Sequence, residues 1–562
     1  MVFQNYFKSC QAIDDQLTNY SNHIKIATLF FRDHNTFKKG KVIMGRVARI
    51  LGLLVCLAAI AGTIALPARE AAGDWPTATP ESQGIDSEAI AAAIESLRER
   101  QAPIHSLLIV RHGKLVTEAY FHPYDGKAPH DIASVTKPIT TTLVGLAIRK
   151  GLIASVDEPM LGVFKGRPVA NIDQRKEAVR LSHLLTMSSG LGCKAQAGEP
   201  TLWEMLSAPE NIDFMLNLPM TDQPGAKFVY CSGGMHLLSG AISERSGMNA
   251  EAFARLHLFG PLGIRQWSWP RDPQRISHGF GNLHLLPRDM ARLGQLFLDQ
   301  GRWRGRQVVP AEWVELATRR HLRTGGPGTS DYGYGWRIPA SGSPVTFEAS
   351  GRGGQQISIL RDQQTVIVIN GGGFSSAELM KQLTAAIKPE ATLKANPAGN
   401  ARLRRAIASA VQPPAPQPVG PLPDLAGRIS GRTWQLPPNW LGLQSLKLSF
   451  QPGSSTATAD LVFGPALKQY QFGIDAQITG KGTISESRPV GLDGVLRLSP
   501  RGMLGLPVGL RGSWIDPQTF QLEYNEVANT NTYLLRLNFA GERLRVEASE
   551  RTGLFKESYE GR

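Results

Sequence analysis

The sequence is short of the residues that build metal centres and disulfide scaffolds. Four cysteines in 562 residues, none in a Cys-x-x-Cys pair, exclude a disulfide framework and a dithiol redox motif. The 12 histidines show no zinc-ligand spacing, so neither a metal nor an organic cofactor is expected. Aromatic residues make up 7% of the chain and are not interleaved with basic clusters, and no nucleic-acid-binding motif is present, which argues against a nucleic-acid partner. Acidic residues are also in deficit: 47 Asp and Glu face 61 Lys and Arg, a formal net charge of +14. That balance favours anionic surroundings such as cell-wall polymers, a membrane surface or acidic substrates. What remains, 42% hydrophobic and 19% charged, is ordinary globular composition with length for several domains.

Long apolar runs are scarce near the N-terminus except for one, Ile50–Leu66, which carries no charge and follows Lys38, Lys39, Lys41, Arg46 and Arg49. A basic region followed by an apolar one has the pattern of a secretory signal, at the border between a long signal peptide and a short membrane span. Residues 44–68 therefore read as a signal peptide or signal anchor, with membrane anchoring through 50–66 if it is not cleaved. Thr63-Ile64-Ala65 is a weak small-x-small cleavage site, and Cys56 follows Val55, which does not suit lipidation. Residues 1–43 form an N-terminal extension of uncertain status, and Met44 is a more natural start than Met1. The bulk of the chain is expected outside the cytoplasm, periplasmic or extracellular.

From about Trp75 the pattern turns mixed. Ser87–Arg100 has the period of an amphipathic helix, and Ser106–Val110 with Leu115–Tyr120 forms a hairpin across His112-Gly113. Helices are predicted at Leu181–Met187, Met235–Ser246 and Pro287–Leu298, then strands at Val345–Glu348, Gln355–Leu360 and Thr365–Ile369. Strands first, helices between and strands last predict an α+β domain over 75–390, one antiparallel sheet flanked by helices. Residues 391–428 read as a basic helix and a proline-rich linker. Beyond it, 429–562 alternates at period two, as in Tyr533/Leu535/Leu537/Phe539, and predicts a separate C-terminal antiparallel β domain, a barrel or sandwich of lipocalin-like kind.

Chemistry concentrates at His130-Asp131-Ile132-Ala133-Ser134-Val135-Thr136-Lys137, which opens an apolar helical run ending at Lys150-Gly151. Pro138 is tolerated only near a helix start, which puts Ser134 in the first turn. Residues three apart share a helix face, so Lys137 lies beside the Ser134 hydroxyl. An alcohol is a weak nucleophile until a base takes its proton, and a desolvated lysine can serve. Alone, Ser-x-x-Lys arises readily by chance.

In order along the chain, Ser134-Val135-Thr136-Lys137, Tyr230-Cys231-Ser232 and Ala349-Ser350-Gly351-Arg352-Gly353-Gly354-Gln355 together resemble the serine β-lactamase/penicillin-binding-protein superfamily. The likeness is to its class C-like branch, with esterase, D-aminopeptidase and 6-aminohexanoate-dimer hydrolase relatives. Leu184–Leu191 and Pro287–Arg292 look like the connecting stretches of that family, and the likeness covers roughly 76–390. The resemblance implies a β-lactamase/transpeptidase-like fold. It makes Ser134 the acyl-accepting nucleophile, with Lys137 and Tyr230 as its proton partners in an order the sequence leaves open. The oxyanion hole would use the backbone N–H groups of Ser134 and Arg352, and Ser232, Ala349, Ser350, Gly351 and Arg352 would line the substrate.

Two departures bear on substrate. Ala349 stands where the family has Lys or His, and Ser232 where it often has Asn; both favour an ester or amide over a β-lactam, with Arg352 as a replacement cation. Two Arg-Thr-Gly triplets, at 323–325 and 551–553, compete for the third motif and read as coincidence. Cys10 and Cys56 fall in or before the export segment, which leaves Cys193 and Cys231 in a cleaved chain. In the resembling family the turn before Cys193 passes beside the active site, so an oxidising compartment would pair the two. The expected protein is an exported serine hydrolase acting through an acyl-enzyme on a small ester, amide or peptide. The alternatives are a non-catalytic module binding or sensing cell-wall peptides or β-lactams, and a β-lactamase or D-Ala-D-Ala carboxypeptidase.

Overall fold

The computed structural model describes residues 75–194, 198–325, 330–339, 342–464, 483–502 and 505–562. The expected N-terminal extension, the export segment, Cys10 and Cys56 lie outside the described residues. Among those described, no helix is long and apolar enough to cross a membrane.

The first unit is a seven-stranded antiparallel sheet. Its strands are β1 (Ile104–Arg111), β2 (Lys114–Tyr120), β3 (Asp331–Tyr332), β4 (Arg337–Ile338), β5 (Phe347–Gly351), β6 (Gln355–Leu360) and β7 (Thr365–Gly371), in the order β2-β1-β7-β6-β5-β4-β3. Period-two alternation sends side chains to opposite faces. On β1, Leu107 and Ile109 join one core while Leu108 and Val110 join the other. All eight residues of β1 are buried, because helices cover both faces.

One face carries α1 (Ser87–Glu99) together with α5 (Ala377–Ala386) and α6 (Pro397–Ala410); the other carries α2 (Thr136–Arg149), α3 (Ser232–Ser246) and α4 (Pro287–Leu298). Asp86 starts α1 by accepting from the N–H groups of Glu88 and Ala89 at 3.0 and 3.2 Å, which satisfies two donors the helix cannot. Its Ile90, Ile94 and Leu97 then form a single buried stripe. By contrast α2 is buried on every side from Thr136 to Ala147, the position of a central helix.

The packing of the first unit continues past residue 390. The basic helix expected within 391–428 is α6, whose Leu403, Ala406 and Ala410 pack in the same core as α1, and whose Arg402 pairs with Glu95 at 2.6 Å. Only the proline segment beyond it connects the two units. A helix with an apolar face on one side and arginines on the other is amphipathic.

The C-terminal region is a nearly closed, mostly antiparallel barrel. Its strands run β8 (Thr433–Gln435), β9 (Leu443–Ser449), β10 (Thr456–Phe463), β11 (Ile484–Gly491), β12 (Val508–Asp516), β13 (Thr519–Glu526), β14 (Thr532–Ala540), β15 (Arg543–Glu550) and β16 (Lys556–Gly561), paired in that order, with β11 meeting β12 in parallel and a short strand Arg497–Ser499 pairing β12 off this path. Every second residue of β10 is buried, from Ala457 to Phe463. Gln435 and Arg562 exchange backbone hydrogen bonds of 2.8 and 3.0 Å, joining the first strand to the chain end beyond the last. Closure there hides edges that would otherwise pair with other chains.

The barrel leans on the first unit. The turn between β13 and β14 presents Val527 and Ala528 to Tyr124, and the Ala528 carbonyl accepts from the Asp131 N–H at 3.0 Å.

Candidate active site

Ser134 sits on a short 3-10 turn, Ala133–Val135, that leads into α2. Two local features fix it. His130–Asp131 pairs as a short strand with His284–Leu285, and the Ile132 N–H donates to the Leu283 carbonyl at 2.9 Å. Ala133 then takes φ of 46°, an unfavourable value for a residue with a Cβ. Strain of this kind costs about 1–3 kcal/mol and persists only where the surroundings enforce it. Here the Ala133 N–H donates to Asp131 Oδ1 at 2.8 Å and Thr136 Oγ1 donates to the Ala133 carbonyl at 2.7 Å.

Two side chains converge on the hydroxyl. Lys137 Nζ donates to Ser134 Oγ at 2.8 Å, and Tyr230 Oη donates to the same oxygen at 3.0 Å. Lys137 is 2% exposed and makes a second bond to the Phe280 carbonyl at 2.8 Å, so its amine is held between the serine and a backbone acceptor. It also lies 4.8 Å from the centre of the Tyr230 ring.

Tyr230 is positioned by the segment before α3. The Val229 N–H donates to the Met187 carbonyl at 2.8 Å, and Cys231 is bridged to Cys193 with Cα atoms 5.9 Å apart. The Ser232 N–H, one of the unpaired donors at the start of α3, gives its hydrogen to Glu199 Oε2 at 3.1 Å. The disulfide ties Cys193, and the glutamate ties Glu199, to the tyrosine's flank.

The β5 edge closes the site from the other side. A Cβ placed on Gly351 would lie 2.8 Å from the Ile132 carbonyl oxygen and 3.0 Å from the Ser134 nitrogen. Only glycine lets this strand come so near the serine.

The expected residues are thus sorted by the fold. Ser134, Lys137 and Tyr230 come together, and Gly351 abuts them. Ala349 does not face substrate: it is 1% exposed and belongs to the main core with Phe347, Trp336 and Ile357. Ser232 is likewise buried, at 2% exposed, while Ser350 on the opposite face of β5 stays partly exposed.

Arg352 departs most from expectation as a substrate cation. Its Nη1 donates to Thr552 Oγ1 at 2.7 Å, its Nη2 to Thr530 Oγ1 at 2.6 Å and to Asn531 Oδ1 at 2.8 Å, and the buried Glu550 lies 3.6 Å away. The guanidinium serves the barrel. The triplet Arg551-Thr552-Gly553, read as coincidence, supplies one of its partners, although it is no sheet-edge motif.

Sequence reasoning missed Asp131, the Phe280 carbonyl and Glu199. Asp131 could have been suspected as a short acceptor two residues before a strained turn. A backbone carbonyl has no residue signature, and Glu199 reaches Ser232 across 33 residues.

A family model described as Beta-lactamase matches residues 90–409. Esterase EstB from Burkholderia gladioli is 25% identical over 226 residues, covering 35% of this chain and 56% of that protein. A 6-aminohexanoate-dimer hydrolase from Paenarthrobacter ureafaciens is 24% identical over 257 residues, 42% of this chain and 63% of its own length. The chain therefore spans less than two thirds of these curated relatives. Among solved structures, the octameric penicillin-binding protein homologue from Pyrococcus abyssi aligns at a TM-score of 0.43 and 16% identity, covering 84% of this chain and 99% of that one. A penicillin-binding protein homologue from Caulobacter crescentus aligns at 0.42 and 15% identity, covering 57% and 97%. With more than half of its length matched, the chain belongs to the Beta-lactamase family.

Proposed function

We propose that this protein is an exported serine hydrolase that cleaves a small ester or amide through an acyl-enzyme. The observation that carries the reading is the convergence of Lys137 Nζ and Tyr230 Oη on Ser134 Oγ at 2.8 and 3.0 Å. A binding module needs no such triangle. Ser134 Oγ attacks the carbonyl carbon, and its proton passes to Lys137 Nζ or Tyr230 Oη, both within reach. The carbonyl π electrons move to oxygen, and the oxyanion settles against the Ser134 and Arg352 N–H groups. Collapse breaks the bond to the leaving alcohol or amine, which takes the stored proton. A water activated by the same pair then attacks the acyl-serine and frees the acid.

Ester or amide is favoured over β-lactam. Ala349 supplies no cation where the family has one, and the Arg352 guanidinium is engaged by the barrel. The relatives named for esterase and 6-aminohexanoate-dimer hydrolase activities support the same substrate class. Export is supported by the apolar run Ile50–Leu66 behind its basic flank and by the Cys193–Cys231 pairing, which suits an oxidising compartment.

The test is covalent labelling by a fluorophosphonate, followed by turnover of p-nitrophenyl esters, D-amino-acid amides and nitrocefin. Ser134→Ala should abolish labelling and turnover without unfolding. Lys137→Ala and Tyr230→Phe should each cost about 100-fold in kcat/KM, the scale of a lost general acid or base. Full activity in Ser134→Ala refutes the mechanism, and nitrocefin as the best substrate refutes the substrate class.

A further inference from the structure

The two proposed oxyanion donors sit on different pieces of chain, the turn before α2 and the edge of β5. Each is gripped by the same loop of the barrel. On the serine side, Asp131 orients the strained Ala133 through its Oδ1. Its own N–H donates to the Ala528 carbonyl at 3.0 Å, and its Oδ2 accepts from Thr530 Oγ1 at 3.5 Å. On the strand side, Arg352 donates to Thr530 and Asn531 from the neighbouring position in that loop. Thr530 therefore touches both walls.

The loop is built as a rigid object. Ala528 and Thr530 are fully buried, and Asn529 and Asn531 are 1% and 4% exposed. Asn529 Oδ1 accepts from the Thr530 N–H at 2.6 Å, and Asn531 Nδ2 donates to Glu526 Oε2 at 3.3 Å. Behind Arg352, Glu550 is held by the N–H groups of Thr552 and Leu554 at 2.9 and 3.3 Å. The Arg352 side chain, 32% exposed, lies 3.6 Å from the buried, hydrogen-bonded Glu550 carboxylate, and moving either group leaves the other without its charge partner. Contacts made merely to join two domains need not converge within three residues of the nucleophile.

We infer that the barrel turn Val527–Asn531 is a clasp that sets the spacing of the two oxyanion donors, with Asp131, Arg352 and Thr530 as positioning residues. The inference rests on the hydrolase reading above. It gives the barrel a part in catalysis, because a donor displaced by a fraction of an ångström stabilises the tetrahedral intermediate less than it does the flatter substrate.

The test uses the full chain. Arg352→Met keeps the side-chain stem and removes the guanidinium, and Thr530→Val keeps the volume and removes the hydroxyl. Gln101→Ala is the control: it removes the contact with Arg511 elsewhere on the same interface. Arg352→Met should lower kcat on a p-nitrophenyl ester about tenfold or more, with KM within about twofold, the signature of an interaction made in the transition state. Arg352→Lys should recover part of that loss, Thr530→Val should show a smaller drop of the same kind, and Gln101→Ala should match the parent. Amide hydrogen exchange should quicken in peptides covering 130–136 and 349–354 in the first two variants and not in the control. Unchanged exchange in both peptides, an intact kcat, or an equal loss in Gln101→Ala overturns the clasp. If Arg352→Met fails to fold, Thr530→Val carries the same decision. A parent protein that hydrolyses no ester refutes the hydrolase reading alone, and the exchange measurement still decides whether the loop holds the two segments.

Discussion

Gly351→Ala is the sharpest probe of the close approach between β5 and the serine turn. The added methyl would stand 2.8 Å from the Ile132 carbonyl oxygen, 3.0 Å from the Ser134 nitrogen and 3.1 Å from Ala133 Cβ. All three neighbours are backbone or a Cβ, so none can rotate away. Relief needs roughly half an ångström of separation between strand and turn, since carbon–carbon contacts prefer about 3.5–4.0 Å. Overpacking of this kind costs about 1–3 kcal/mol of stability. The effect on catalysis should be larger. Separating the walls withdraws one oxyanion donor, and loss of a single donor costs about 10²–10³ in kcat. The assay is steady-state hydrolysis of a p-nitrophenyl ester beside thermal unfolding. The expected result is a folded protein with a modestly lowered melting temperature, a kcat down by about two orders of magnitude and little change in KM. A kcat within about twofold of the parent would show that β5 does not contribute a donor, and the oxyanion site would have to be sought elsewhere.

Other outcomes follow from the same geometry. Cys193→Ser opens a loop with a sequence separation of 38, and should lower unfolding stability by about 4 kcal/mol on the chain-entropy model, read from denaturant midpoints with and without reductant; an unchanged midpoint would refute a bridge in the native protein. Stability should fall on both sides of mildly acidic pH. Burial lowers His105, His130 and His278 to about 3, so their neutral forms stabilise the fold above pH 6.5 and that contribution is lost as pH falls below it. Burial raises Glu526 to about 8, against the pull of Asn531, so the folded state holds an extra proton between its ordinary value and 8 and loses stability as pH rises through that window. Glu526→Gln should flatten the alkaline limb by up to about 1.4 kcal/mol per pH unit, measured by urea unfolding at pH 6 and 8; an unaltered limb would place the carboxyl in water. Ending the chain near Pro418 removes the barrel partners of Arg352 and Asp131, and the remaining unit should label with fluorophosphonate far more slowly than the full chain; equal labelling would show that the barrel is dispensable.

Much of the fold was legible because it rests on periodic burial. The helix predicted at Pro287–Leu298 and the strand at Gln355–Leu360 have those bounds in the structure, since each begins at a proline or turn and buries a regular face. The hairpin and the last strand differ only at their ends. Of the site, the Ser134–Lys137 pair is a local spacing across the turn into α2, and local spacing survives in sequence. Tyr230 came only from its resemblance to a motif, because nothing in residues 220–240 says that a phenol will meet a serine 96 positions earlier.

The failures share one physical origin, that a side chain's role depends on what the rest of the chain brings to it. Ala349 looked like a missing cation, yet strand alternation turns it to the core with Phe347, and the opposite face holds Glu348 and Ser350. Arg352 looked like a free charge aimed at substrate. Three of its partners are hydroxyl and amide groups of Thr530, Asn531 and Thr552, residues with no charge to advertise the contact and 178 to 200 positions away. The fourth, Glu550, reads as an ordinary strand-end acid. A sequence-level domain boundary makes such contacts harder still to foresee, because a proline-rich stretch implies separable units and directs attention to each alone. Here a short connector positions the barrel so that one buried turn meets the nucleophile's own loop. Three neutral hydroxyl and amide acceptors satisfy the Arg352 guanidinium at this interface, and Glu550 is the carboxylate that balances its charge.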